Sequence, residues 1–362
     1  MYKSILARGI LLLLVLAGPA IAQSPPTDLT ELDIEEILAL HIRRSDTPSE
    51  EPARWSLGYR LVFARFDGNR DGTEDLSIED VIWNRDDGEA RTTDNFPVVP
   101  LEINQQAHLF DIGYDLGRSL SVNVLIPFIH QSTDHCSIIA GFEDFVISSS
   151  GIGDIALSAT TPVWHRDRHV VVAHLGLSLP IGSIDEIGPT PRDPENDTQL
   201  PYTMQIGSGT IDLLPGIVYS GSTDRIEWGA RGRATLRLGE SDRNYTLGNR
   251  LSASGWIQKR LRPWVSPNLR LTLQKWGRID GRDTDLQIDA LPVSPYPAAV
   301  TDPDKFGGTK LHVFVGSTFS GREGPVANHS LSLDFGIPVY QHLNGPQPKE
   351  IFRLSAGWKW SL

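Results

Sequence analysis

The sequence predicts an all-β protein: a transmembrane up-and-down antiparallel β-barrel of about twelve strands, preceded by a short N-terminal periplasmic helix. Three observations carry this. A two-residue hydrophobic rhythm returns in pieces of about ten residues from Trp55 onward, long and tight connections alternate along the chain, and the last strand runs flush to the carboxyl terminus. A tilted membrane strand needs about 9–11 residues. Bacterial barrels join such strands by long outer loops and short periplasmic turns in alternation.

At the N-terminus, Lys3 and Arg8 precede an apolar run from Gly9 to Ala17, and Ala20-Ile21-Ala22 stands before Gln23. This is the layout of a secretory signal peptide over residues 1–22, with an apolar run too short to cross a bilayer as a helix. Export together with the strand pattern predicts the bacterial outer membrane, with outer-membrane lipid and the barrel-assembly machinery as partners. Residues 23–54 read as a polar lead-in holding one amphipathic helix over about 28–42, in which Leu29, Leu32, Ile37 and Leu40 recur at helical spacing. Thr27 or Thr30 caps an acidic first turn. Its "DLTELDIEEILAL" stretch is similar to the segment before the plug of TonB-dependent receptors, although the chain is far too short for that architecture. The expectation is a lead helix docked at or in the barrel mouth, or offered to a periplasmic partner; a mobile tail is the alternative.

Composition narrows the classes. The net charge of -12 becomes about -14 once Lys3 and Arg8 are removed, which argues against nucleic acid as a partner. The single cysteine, Cys136, excludes an intramolecular disulfide framework, and a closed sheet supplies its own cohesion instead.

The barrel domain is expected over residues 55–362. Its strands fall at 55–66, 104–116, 119–131, 151–163, 169–180, 207–221, 225–238, 249–260, 263–275, 308–320, 329–341 and 351–362. Long connections lie at 67–103, 132–150, 181–206 and 276–307, with a shorter one at 239–248; tight turns fall near Gly117-Arg118, 165–168, 222–224 and Leu261-Arg262. Two connections fit less well, because 321–328 is long for a turn and 342–350 is modest for an outer loop. In the last strand Phe352, Leu354, Ala356, Trp358, Trp360 and Leu362 alternate with Ile351, Arg353, Ser355, Gly357, Lys359 and Ser361. This resembles the closing strand of outer-membrane barrels, with a terminal Leu where Phe is usual.

In lipid every backbone polar group must be paired, so the ladder has to close and thereby acquires an inside and an outside. One register is apolar throughout, as in Leu120 to Phe128, Val265 to Leu273 and Leu331 to Val339 at alternate positions, and is assigned to lipid. The other register gives the lumen-lining candidates Asp111, Asp154, His174, Asp212, Glu227, Arg231, Arg233, Arg237, Arg250, Arg270, Asp334 and Arg353, together with Asp115, Asn123, Asn268 and Lys359. Arg231, Arg233 and Arg237 form a cationic stripe that either attracts anions or is tied in salt bridges to Glu227, Asp212 and Asp154. A soluble β-sandwich or lipocalin-like barrel also alternates, but with the apolar register inside. Trp and Tyr at strand ends, among them Trp55, Tyr59, Tyr114, Trp164, Trp264, Trp276 and Trp358, suit interfacial girdles and favour the membrane.

The phrases "SSSGIGDIALSA", "LPYTMQIGSGTIDLLPGIVYSG", "LGESDRNYTLGNR" and "LDFGIPVYQHLNGPQ" resemble the outer-membrane proteins grouped as the putative MetA-pathway of phenol degradation family, over Trp55 to Leu362. The resemblance implies a transporter-like barrel associated with uptake of aromatic or other hydrophobic compounds. It carries over no substrate-binding residues. The expected function is therefore a passive channel for small molecules; the alternatives are a non-conducting structural or sensing barrel and, further off, an outer-membrane lipid hydrolase. For the hydrolase, His108 is the best outward histidine, and no serine signature accompanies it. No enzyme activity and no cofactor are expected.

One ion site is suggested. Asp67, Asn69, Asp71 and Asp75, with Gly72 between, follow the spacing of a calcium loop, although Ile78 stands where the bidentate acid belongs. The histidines show no HExxH spacing. His130 and His135 beside Asp134 and Cys136 are a weaker cluster for metal capture, with a solvated loop as the other reading.

Overall fold

The computed structural model describes residues 55–117 and 120–362, so the signal peptide, the lead helix over 28–42 and the turn at Gly117-Arg118 fall wholly or partly outside the described residues. The strands are β1 (Trp55–Gly72), β2 (Glu74–Leu76), β3 (Val98–Asp115), β4 (Ser121–Ser137), β5 (Asp144–Ile152), β6 (Ile155–Arg166), β7 (His169–Leu179), β8 (Ile187–Thr190), β9 (Asp193–Gln199), β10 (Ile211–Ser222), β11 (Ile226–Leu238), β12 (Tyr245–Thr246), β13 (Arg250–Lys259), β14 (Val265–Trp276), β15 (Asp280–Gly281), β16 (Gly308–Ser320) and β17 (His329–Ser361). No helix among the described residues is long and apolar enough to cross a membrane.

Eleven of these strands form one closed antiparallel ring, β1-β3-β4-β6-β7-β10-β11-β13-β14-β16-β17 and back to β1. β2 and β5 pair outside that ring with β1 and β4. The ends meet where Leu362 N–H donates to Trp55 O at 2.8 Å, so the closing strand does close the sheet. β17 is a hairpin: its residues 330–343 pair with β16, its residues 343–361 pair with β1, and Gly345 turns at φ +71° between them. The two legs meet again where Ser361 N–H donates to Asn328 O at 3.2 Å. Counting that element twice gives twelve spans, which accounts for the two strands expected at 329–341 and 351–362.

The expected strand at 151–163 starts earlier and is kinked. β4 pairs with β5 along Phe128 to Cys136 and with β6 along Ser121 to Leu125. At the junction Gly153 N–H donates to Pro127 O at 2.9 Å, and Asp154 is left over as a bulge. Bulges of this kind re-aim a side chain.

The wall has two heights. β1, β3 and β4 carry 18, 18 and 17 residues, whereas β7, β10 and β13 carry 11, 12 and 10. At about 3.3 Å per residue the tall side rises about 20 Å beyond what the short side needs. The segment expected as an outer loop from residue 67 is therefore partly strand.

The two registers separate as the fold requires. Phe110, Leu175, Ile217, Leu251, Leu269, Leu271, Leu333 and Phe335 are all exposed, while Val62, Ala64, Ala107 and Leu109 on the opposite register are fully buried. This overturns the soluble rival, whose large apolar residues belong in the centre. Trp55, Trp164, Trp264 and Trp358 are exposed near strand ends, as girdles demand. Trp276 departs from that expectation at 4% exposure, because its even position on β14 is the inner register shared with Thr272 and Gln274.

The long connections pack on one another over the end away from the chain termini. Val98, Tyr202, Tyr245, Leu247, Ile279, Leu286, Ala298, Val300 and Phe306 make one buried cluster, with Tyr202 edge-on to Tyr245 and Phe306 at 4.9 and 5.6 Å. Arg243 ties three loops together: it pairs with Asp185 at 2.8 Å, Asp283 at 2.6 Å and Asp285 at 2.6 Å. These segments, expected as loops, form a cap with its own core.

Candidate transport lumen

Inward positions of the short side carry most of the cations. On β11, Arg231 lies over the Trp256 ring at 5.6 Å, Arg233 Nη2 stands 3.4 Å from His174 Nε2, and Arg237 is ion-paired with Asp212, both buried. Asp212 also accepts from Thr210 Oγ1 at 2.7 Å. Arg250 is buried at the head of β13, and Arg270 on β14 lies over Phe314 at 4.3 Å. Asp334, half-buried, faces Gly316 across the β16–β17 pairing.

Of the expected stripe partners, Asp212 meets Arg237. Asp154 instead clamps the loop neck: its carboxylate accepts from Gly182 N at 3.0 Å, Ser208 N at 2.8 Å and Ser208 Oγ at 2.6 Å. A Cβ on Gly182 would stand 2.6 Å from Gly207 Cα, so only two glycines let the two loop segments of this neck pass. Glu227 is exposed at the end of β11 near the chain termini, and Asp115 lies half-buried at the corresponding end of β3.

Near that rim Asp111, buried, accepts from Asn123, and both Asp111 and Lys359 pair in register with Gly58. Arg60 Nη1 donates to Ser355 Oγ at 3.4 Å. Higher up lies a constellation that sequence reasoning missed. Glu350, fully buried, is met by Lys310 Nζ at 3.1 Å, His312 Nε2 at 3.1 Å and Arg353 Nη2 at 2.7 Å. Alternation along β16 already marks Lys310 and His312 as inward. Glu350 gave no such signal, because it lay in a segment read as a connection.

The tall side is different. Val62, Ala64, Phe66, Ile103, Ala107, Leu109, Leu125, Ile129 and Ala156 form one buried apolar cluster, completed by Ile206 and Leu214. Above it Gln105 donates to Gln131, which donates to Ser149, whose hydroxyl donates to Met204 O at 2.6 Å. This polar chain hangs the 200–210 segment on the inner wall. A small gap lined by Phe66, Ile103, Gln105, Thr203, Val300 and Phe306 remains where cap and wall meet.

The lumen is thus two-faced. Its inward cations are Arg60, Arg231, Arg233, Arg237, Arg250, Arg270, Lys310, Arg353 and Lys359, nine against the five acids Asp111, Asp154, Asp212, Asp334 and Glu350, leaving an excess of four before Asp115 and Glu227 at the rim.

The calcium-spaced residues do not converge. Asp67, Asn69 and Asp71 lie along β1, Asp75 lies on β2, and Gly72 turns between the strands at φ +54°. Asp75 is paired with Arg70 and with Lys349 at 2.6 Å, Asp67 with Arg65 at 3.4 Å, and Asn69 donates to Pro100 O at 2.8 Å. Strand pairing, which strings Asp67, Asn69 and Asp71 along an extended chain and gives each a different partner, has replaced the loop that the spacing suggested. No group of three His, Cys, Asp or Glu suited to a metal occurs among the described residues. His135 is buried and stacks on Phe145 at 4.8 Å, while His130 is exposed on the other face. His108 faces outward, with Nδ1 2.9 Å from Tyr59 Oη.

Residues 98–274, from the head of β3 to the end of β14, match the model of the family described as "Putative MetA-pathway of phenol degradation". This stretch belongs to that family. The MetA-pathway segment covers eight of the ring strands and includes the cationic β11 and the Asp154 clamp. Among solved structures the chain is similar to the COG4313 outer membrane channel from Pseudomonas putida F1, at 14% identity and a TM-score of 0.57, covering 88% of this chain and 99% of that one. At that identity the likeness shows the fold: an outer membrane β-barrel. The TodX monoaromatic hydrocarbon channel, in a mutant form, aligns at 9% identity over 87% of this chain and 91% of that one, and a Pseudomonas aeruginosa FadL homologue at 9% over 86% and 92%; their TM-scores, 0.43 and 0.40, are too low to carry an argument. No curated protein matches the sequence.

Proposed function

We propose that the protein is an outer membrane channel through which small solutes diffuse passively, guided by an apolar wall on one side of the lumen and a cationic wall on the other. The observation that carries this is the sorting of charge: nine inward cations inside a cylinder whose outer register is apolar. A charged lumen attracts counter-ions and sets selectivity, whereas an apolar wall holds the body of a hydrophobic solute. Together with the MetA-pathway match, this favours small aromatic or otherwise hydrophobic compounds, above all those bearing a negative charge. Outer-membrane lipid and the barrel-assembly machinery are the partners such a protein requires.

The reading is tested with purified protein in planar bilayers. Discrete current steps with anion preference are expected, and Arg231→Gln, Arg233→Gln and Arg237→Gln combined should move the reversal potential toward cation preference. A barrel that inserts yet stays silent supports the non-conducting alternative instead. Unchanged selectivity in the triple variant would remove β11 from the pathway.

A further inference from the structure

We propose that a cross-strand row of rings and guanidinium groups on the inner wall is a stacking site for flat aromatic carboxylates. This rests on the channel reading and deepens it, by naming the solute class and the side chains that select it. Strand register puts Gly229 opposite Trp256, Trp256 opposite Arg270, Arg270 opposite Phe314 and Phe314 opposite Gly336, one unbroken line from β11 to β17. All five positions belong to the inner register. The glycines at the two ends decide how the rings lie. A Cβ on Gly229 would run into the Trp256 ring and one on Gly336 into the Phe314 ring, so each ring is laid over a bare stretch of neighbouring backbone. A ring lying on the wall turns one face inward, and here a guanidinium covers it: Arg231 lies 5.6 Å over Trp256, and Arg270 lies 4.3 Å over Phe314.

Stacking fixes more than position. The ring quadrupole holds the cation, and a guanidinium lying over a ring presents its own flat face to a passing solute. That face takes a second flat π system, while the N–H edge takes a carboxylate in two parallel hydrogen bonds. Chloride offers charge alone and a neutral ring offers a face alone; a flat aromatic carboxylate uses both. The surroundings orient it. Toward the cap, Ser254 and Thr272 stand opposite each other with their hydroxyls 3.1 Å apart, and Arg233 follows Arg231 on the same face of β11. Toward the chain termini the next row carries the acids Glu227 and Asp334 at its two ends, joined by register through Gln258, Asn268 and Gly316. A carboxylate on the row is therefore drawn to the cap side by cations and kept from the other side by like charge. Trp256, Arg233 and Arg270 are half-buried and keep part of their surface open inside the barrel.

The test uses the full processed chain in planar bilayers, with benzoate and cyclohexanecarboxylate as probes of equal charge and carbon count, one ring flat and the other puckered. Benzoate should halve the potassium chloride current at about fivefold lower concentration, a difference of about 1 kcal/mol. Arg231→Lys combined with Arg270→Lys keeps both charges and removes both planes, so benzoate should then need the same concentration as cyclohexanecarboxylate. Trp256→Leu reaches the same loss by taking away a supporting ring, and should cut the advantage to about twofold or less. Heat-modifiable migration confirms that each variant is a folded barrel. Equal half-block by the two probes in a conducting wild type, or an advantage that survives in both variants, would overturn the stacking site and leave the channel standing. Where the inserted barrel is silent, calorimetric titration replaces current. Benzoate binding that is tighter than cyclohexanecarboxylate binding, and loses that advantage in the variants, then keeps the site and removes the channel; equal binding of the two probes removes both.

Discussion

At the scale of single residues, inward polarity was legible from alternation alone, because a period of two leaves a strand residue only two directions. What alternation does not reveal is a partner brought by a loop. Asp154 reads as one more lumen charge, yet it holds Gly182 and Ser208, and nothing in its own strand announces those. Glu350 is the sharper case. It is fully buried among Lys310, His312 and Arg353, and the Lys310 ammonium also lies over the Phe66 and Trp276 rings at 4.9 and 5.3 Å. Removing one partner of a buried ion network leaves uncompensated charge, which costs about 3–5 kcal/mol. Glu350→Gln keeps the shape and strands two cations, so the unfolding free energy extrapolated from urea titration should fall by that amount. Adding Lys310→Met, which removes one of the stranded charges, should recover part of the loss. A Glu350→Gln barrel as stable as the wild type would show that the carboxylate is not what neutralises Lys310 and Arg353.

At the scale of elements, strand existence was legible and strand ends were not. Once the chain leaves the hydrocarbon zone the outer face need not be apolar, so the rhythm that marks β1, β3 and β4 fades several residues before pairing stops. The cap was illegible for a different reason: its core draws single residues from Tyr202, Tyr245, Ile279 and Phe306, spread over three connections with no common period. The cap also contains a titratable device. Asp302 is largely buried, and burial pushes its carboxyl up to about 6, against partial relief from the Asp304 amide it accepts from, Lys305 and Arg91, while Asp304 adds repulsion. The folded value lies above the ordinary 3.8, so the capped state binds the proton more tightly than the opened state does. Between about pH 4 and 6 the stability from the neutral acid is progressively lost, and above 6 the cap bears the full penalty of a buried charge. Amide exchange across 284–306, corrected for intrinsic rates, should therefore show more opening at pH 7.5 than at pH 5. In Asp302→Asn, which keeps an acceptor for the Asp304 amide, that difference should vanish. Equal opening of the wild type at both pH values would count against the device.

At the scale of the whole molecule, closure is the physical fact from which the rest follows. β1 without β17 would present a row of unpaired donors and acceptors to hydrocarbon, where each costs several kcal/mol. The terminal alternation from Phe352 to Leu362 marks that seam in the sequence, and the ladder from Ser56↔Ser361 upward is its realisation. Which register faces lipid can be decided on two neighbouring residues of β14. Leu269 is 45% exposed on the outer face, and Asn268, one step along, is half-buried on the inner face. An arginine on the lipid face near the midplane costs about 2–4 kcal/mol, because no water solvates it there. An added charge in a polar lumen costs far less. Leu269→Arg should thus lower folding stability into phospholipid vesicles by about 2–4 kcal/mol, and Asn268→Arg by less than about 1 kcal/mol. In a water-soluble barrel with the same exposures, Leu269→Arg would be a surface change worth within about 0.5 kcal/mol. The two variants therefore separate the environments by the size of one difference, and a harmless Leu269→Arg is the result that no outward apolar register in a bilayer can produce.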